Sequence, residues 1–196
     1  MATSSRRSAR IIVLTGIDGA GKTSAGELLT LRLSEKGYPA TFTTNPSGRR
    51  SIGTWCERHH IHPPAVRLDA VETVIRCLNV AISHLRAGNR SRVVIMDRHL
   101  YCQLALRRVR GLRRGWFLPL LLRVLPAPEA IIYFDVGAEV AYNRIKSRAS
   151  DTESLEHLTM FDRAYRELPD FQAFTIIDAS RSTTDAVDDM MRALGL

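Results

Sequence analysis

The stretch Gly16-Ile17-Asp18-Gly19-Ala20-Gly21-Lys22-Thr23-Ser24 follows the apolar run Ile11-Ile12-Val13-Leu14-Thr15 and leads into a segment with helical spacing. Gly16, Gly21, Lys22 and Thr23 meet the pattern G-x-x-x-x-G-K-[ST] between a strand and a helix, which is the context the pattern needs. Glycines let backbone N–H groups turn inward as an anion nest, and the following helix presents its positive end. Lysine reaches the outer phosphates and threonine meets magnesium. Gly16, Gly19, Ala20, Gly21, Lys22, Thr23 and Ser24 are therefore expected to bind ATP, with Thr23 also a ligand of Mg2+. A glycine-rich turn that only starts a helix is the plainer alternative.

Working outward, four more short apolar runs predict strands at 40–44, 92–97, 130–135 and 174–178, besides 11–15. Between them, helical spacing predicts helices over 22–36, 66–87, 101–125 with a break near Gly115 and Pro119, 137–149, 153–167 and 182–194. Strands that alternate with helices mean an α/β fold with a parallel sheet covered on both faces. The 196 residues suffice for one domain, expected over 10–196, with a short basic segment at 1–9 expected to be disordered. Cys56, Cys77 and Cys102 show neither a disulfide framework nor zinc spacing, which fits a reducing cytoplasm. No membrane span is expected. The formal net charge of +8 suits a polyanionic ligand and does not choose among nucleotide, nucleic acid and membrane surface.

A second motif closes the third predicted strand, at Asp97-Arg98-His99. In a parallel sheet the carboxyl ends of the strands border the ligand crevice. Asp97 is there a candidate magnesium ligand and Arg98 a clamp for an acceptor phosphate. A helix cap and a surface ion pair are the plainer roles for the two. Arg144 and Arg148 stand at i, i+4 on one helical face, where they can neutralise a departing phosphoryl group or simply solvate a helix end. Residues 107–123 combine six arginines with Trp116, Phe117 and five leucines and hold no acidic residue. A flap over an anionic acceptor, a membrane-surface helix, a partner face and ordinary packing all stay open. The run His59-His60-Ile61-His62 does not place its rings on one ion.

With Gly16–Ser24, Met96-Asp97-Arg98-His99, the run from Tyr133 to Arg148, and Phe161, Tyr165, Leu168 and Ile176-Ile177-Asp178-Ala179-Ser180 in order, the chain resembles the thymidylate kinase family. The resemblance implies a P-loop kinase fold, a five-stranded parallel sheet with helices on both faces and a small lid. It implies Mg2+-dependent transfer of the γ-phosphoryl group of ATP to a nucleoside monophosphate. Carried over by position, Asp18 would contact the acceptor's sugar or orient its phosphate, Arg98 would hold that phosphate, and Arg144 and Arg148 would belong to the lid. Arg181 would cover the adenine.

Asn45, Arg76 and Tyr101 fall on acceptor-side positions, where the chain departs from the family pattern. The charged pair usual after the second strand is missing from Thr44-Asn45-Pro46-Ser47-Gly48. The family's stacking phenylalanine and the arginine four residues beyond it fall, counted from Glu72, on Arg76 and Val80. Thymidylate is accordingly expected to be a poor acceptor. A kinase of the same fold acting on a nucleoside or other small hydroxyl metabolite is the closest alternative, and a nucleotide-binding regulatory or nucleic-acid-associated protein is the second. The partner expected is a small acceptor molecule, with no nucleic acid and with a homodimer left open.

Overall fold

Each predicted apolar run becomes a strand, because β-branched residues covered on both faces have no better place than the middle of a parallel sheet. In the computed structural model, which describes residues 10–87, 92–148 and 153–196, β1 is Arg10–Thr15, β2 Ala40–Thr44, β3 Val93–Asp97, β4 Ala130–Asp135 and β5 Thr175–Asp178. All pairings are parallel and the order is β2-β3-β1-β4-β5. The chain therefore leaves β1 toward one side for β2 and β3 and toward the other for β4 and β5, which opens a crevice beyond the carboxyl end of β1. Registers Leu14↔Asp97, Thr44↔Asp97 and Asp135↔Asp178 line up the strand ends at that edge.

The helices are α1 (Lys22–Glu35), α2 (Arg49–Arg58), α3 (Ala65–Ala87), α4 (Leu100–Val109), α5 (Phe117–Val124), α6 (Ala138–Ser147), α7 (Leu155–Arg166) and α8 (Thr183–Ala193). Leu29 and Leu33 of α1, one turn apart, are fully buried, and each such side chain contributes about 1.5–3 kcal/mol of apolar burial. Ser154 and Ser182 cap α7 and α8 by accepting the N–H groups of His157 and Asp185, each at 3.1 Å.

Two expectations change. Helix α2 was not predicted: only Ile52, Trp55 and Cys56 give it an apolar spacing, and Gly53 interrupts it. The segment 101–125 breaks near Gly115 as expected, between α4 and α5 where Gly111 and Gly115 take positive φ, but not at Pro119. Pro119 lies in the first turn of α5, where a missing N–H costs no helical bond. The expected disordered segment 1–9, the end of α3 near Gly88 and the last residue of the helix 137–149 lie outside the described residues.

Candidate active site

The glycine loop takes the shape its composition demands. Gly19 has φ 82°, and a Cβ there would stand 2.5 Å from the Ala141 carbonyl of α6, so the loop can lie this close to the helix only without a side chain. Gly21, also left-handed, starts α1. The Lys22 ammonium donates to the Gly16 carbonyl at 3.0 Å and the Ile17 carbonyl at 2.6 Å, which folds the side chain back over the loop. Burial lowers its pKa and Arg98 acts in the same direction, while Asp18 and Asp97 oppose them.

Thr23 Oγ1 donates to Asp97 Oδ2 at 2.7 Å, and Asp97 Oδ1 is buried with no partner among the described residues. A hydroxyl and a free carboxylate oxygen side by side are the hard donors that magnesium takes. Among the described residues no three histidine, cysteine or carboxylate side chains converge on a metal. Two protein oxygens with phosphates and water completing the shell match the habit of that ion. The run His59-His60-Ile61-His62 forms no such cluster either.

Arg98 carries the backbone strain of the site. Its φ is 72°, the left-handed region that a long side chain rarely enters. Bonds on both sides hold it there: its N–H donates to the Leu14 carbonyl at 3.0 Å, and its carbonyl accepts from Asn45 Nδ2 at 2.8 Å. Asn45, fully buried, also donates its N–H to the Asp97 carbonyl at 2.9 Å, accepts from Ser83 Oγ at 2.8 Å and accepts from Arg76 at 2.9 Å through its carbonyl. Its side chain is thus committed to shaping the Asp97–Arg98 turn. The Arg98 guanidinium pairs with Asp18. Burial alone would raise the Asp18 carboxyl, but Arg98, Lys22 and Arg49 outweigh it and hold the group far below the usual carboxylate range.

These residues border one cleft of about 480 Å³ beyond β1 and β3. Its charged lining is Lys22, Arg49, Arg76, Arg98 and Arg148 against Asp18, Asp97 and Glu153, an excess of positive charge that suits anions. Cys102, Leu106 and Phe161 supply its apolar wall. Arg49, Glu153, Cys102 and Phe161 were not singled out as site residues from the sequence, because helices distant in the chain bring them in.

Two expectations on the acceptor side are corrected. Tyr101 does not border the cleft: its ring packs against Phe174 at 5.1 Å and His99 at 5.5 Å, and burial, with Asp170, pushes its hydroxyl pKa up to about 12. The face of α4 that meets the cleft carries Cys102 and Leu106, four residues apart. Val80 is 0 % exposed in the core, whereas Arg76, one turn earlier, reaches the cleft. Arg76 is thus the residue of this stretch of α3 that meets the cleft, and Glu72, one turn before it, is buried and paired with Arg110 at 2.8 Å.

Beside the glycine loop a second cavity of about 300 Å³ is bordered by Gly21, Ser24, Arg144, Arg148, Ala179 and Arg181 among others. Arg144 and Arg148 do meet there. Arg144 is tied to the loop after β5, donating to the carbonyls of Ala179 at 2.8 Å, Ser180 at 3.0 Å and Arg181 at 3.5 Å. Arg181 is exposed and pairs with Asp178 and Asp189. The expected lid would continue into residues 149–152, outside the described residues.

Part of the basic segment is tied down by ion pairs, while Trp116, Phe117 and Leu120 stay exposed. Arg107 and Arg110 turn to Asp69 and Glu72 of α3, Arg108 to Glu167, and Arg114 to Asp170. No helix among the described residues is long and apolar enough to cross a membrane.

Comparison with known proteins agrees with this geometry. The family model described as thymidylate kinase matches residues 14–190. Similar curated proteins are the probable thymidylate kinases of Archaeoglobus fulgidus, 26% identical over 94% of each chain, and Staphylothermus marinus, 29% identical over 87% of this chain and 86% of the relative. That of Thermococcus kodakarensis is 31% identical over 72% of this chain and 74% of its own. A match that runs from the end of β1 into α8 takes in the glycine loop, the Asp97–Arg98 turn and both cavities: the chain belongs to the thymidylate kinase family and is an ATP-dependent kinase that phosphorylates a nucleoside monophosphate.

Proposed function

We propose that the acceptor is a nucleoside monophosphate whose base turns a carbonyl oxygen toward Arg76, with thymidylate, which the names of the relatives give, as the first candidate. The observation that carries this reading is the state of the two carboxylates. Asp18 is held ionised against Arg98, and Asp97 accepts from Thr23 at one oxygen and offers the other to the magnesium position, so neither is placed to take a proton from a hydroxyl acceptor. An acceptor that is already a phosphate anion needs no base. Arg98 binds it with a two-pronged guanidinium, Lys22 holds the β and γ phosphates, and Arg148 at the cleft meets charge on the moving group. Thr23 and Asp97 would hold magnesium, which would supply charge neutralisation at the phosphates. As the acceptor oxygen bonds to the γ phosphorus, the bond to the β–γ bridging oxygen breaks and the pair of electrons leaves with ADP. Arg144 acts through the loop at Ala179–Arg181 that borders the donor cavity.

The buried Arg76, 3 % exposed, favours an oxygen over an amine at the exocyclic 4- or 6-position of the base and so separates thymine, uracil and guanine from cytosine and adenine. With the arginine at the cleft, the expectation of a poor thymidylate site rests on the missing aromatic of α3 and the missing charged pair after β2, and Phe161 lines the cleft from α7. We also place the enzyme in the cytoplasm, in keeping with its three free cysteines, and as a homodimer through the exposed side chains Val74, Leu78 and Leu85 of α3. Light scattering reads the mass of the second assignment. The test of the acceptor is kcat/KM with Mg2+-ATP for thymidylate, deoxyuridylate, deoxyguanylate, deoxycytidylate, deoxyadenylate and thymidine. Thymidylate should exceed deoxycytidylate by about tenfold or more. A ranking led by thymidine, deoxycytidylate or deoxyadenylate overturns the reading.

A further inference from the structure

The loop after β2 lacks the charged pair of the family pattern, yet the cleft holds a cation that the chain supplies one step later. Arg49 is the first residue of α2, beside Ser47 and Gly48, and all three border the cleft with Arg98 and Lys22. Its guanidinium donates to Glu153 Oε1 at 2.5 Å, while Glu153 Oε2 lies 3.3 Å from His157 Nε2 at the start of α7. The pair joins two elements more than a hundred residues apart across the mouth of the cleft. Gly48, with φ 75°, begins α2 so that its first helical bond is from the Ile52 N–H to the Gly48 carbonyl, leaving the earlier amides of the helix without helical acceptors. Arg76, buried at the same cleft, has an Nε with no partner among the described residues.

A phosphomonoester carries a charge of about −1.5 to −2 at neutral pH. Arg98 is already shared with Asp18, so one guanidinium does not balance that charge. Resting on the nucleoside monophosphate reading above, we propose that Arg49 is a second acceptor-phosphate residue, and that the incoming phosphate displaces Glu153 from it. Glu153 is then a competitor for the arginine rather than a brace of the site. Removing the competitor strengthens acceptor binding, whereas removing the arginine weakens it. A clasp that merely holds the cleft together would make both changes harmful.

The test uses the full chain with thymidylate and thymidine as probes, in steady-state kinetics and in direct titration without ATP. Arg49→Ala should raise KM for thymidylate about tenfold or more, leave KM for ATP within about twofold and leave thymidine binding unchanged. Arg49→Lys should recover part of the loss, since a point charge replaces the fork. Glu153→Gln should lower KM for thymidylate by about twofold to fivefold, and the double variant should match Arg49→Ala. The inference is overturned if Glu153→Gln weakens thymidylate as Arg49→Ala does, or if Arg49→Ala raises both KM values alike. A wild-type chain that turns over thymidylate with Arg49→Ala unchanged defeats Arg49 alone. A wild-type chain that turns over no nucleoside monophosphate defeats the functional reading together with it.

Discussion

The two sides of the active site are built by different means. On the side proposed for the donor, Gly16–Thr23 is one contiguous loop whose shape follows from glycines with positive φ and from the helix it opens. On the acceptor side, no run of the chain makes a site alone. Asn45 from the end of β2, Arg76 from α3 and Arg98 from the end of β3 meet through side-chain bonds, and the guanidinium of Arg98 is held by a carboxylate.

The largest effect should come from breaking the donor side. Lys22→Ala should lose two or more orders of magnitude in kcat/KM, roughly 3 kcal/mol of transition-state stabilisation, with circular dichroism unchanged. Folded protein with near-normal turnover would refute the phosphate-loop assignment. Arg98→Ala should next raise KM for the acceptor far more than KM for ATP, by about tenfold to a hundredfold, and Arg98→Lys should not restore it. Equal losses for both substrates would move Arg98 to the donor side.

Asn45→Ala sharpens the contrast, because Asn45 is a positioning residue. It removes the side-chain bonds to the Arg98 carbonyl and Ser83, so Arg98 should relax from its strained backbone. Stability should fall by about 1–3 kcal/mol in urea unfolding, and acceptor KM should rise while ATP KM does not. A stability loss with both KM values untouched would show that the Asp97–Arg98 turn holds itself.

Acid should act through the histidines behind this turn. The Nε2 atoms of His84 and His99 lie 3.1 Å apart. Burial, then His84 and Arg76, lower His99 to about 3, and burial lowers His84 as well. Since the folded state binds fewer protons than the unfolded one, stability is full above the ordinary histidine range near pH 6.5 and falls as pH drops toward 3. His99→Asn should flatten that slope in denaturant unfolding measured against pH; an unchanged slope would assign it to the carboxylates. The smallest effect is reserved for Arg181→Ala, whose pairs with Asp178 and Asp189 are exposed and solvent-screened, so that stability in urea unfolding should stay nearly unchanged. A large rise in ATP KM would instead give Arg181 a direct contact with the donor.

The sequence by itself determined the strands, the glycine loop and the Asp97–Arg98 turn, because period, β-branching and glycine spacing are local properties that the chain displays in order. Helix α2 stayed hidden because its apolar residues are too few to show a face, and Pro119 misled because proline breaks a helix only beyond its first turn. Only the tertiary structure decided that Arg76 rather than Val80 reaches the cleft, that Tyr101 turns away to Phe174, and that Asn45 is spent on the backbone of Arg98. Counting along a helix tells which residues share a face, but which face meets the ligand depends on how α3 and α4 pack against the sheet, and that depends on all the side chains at once.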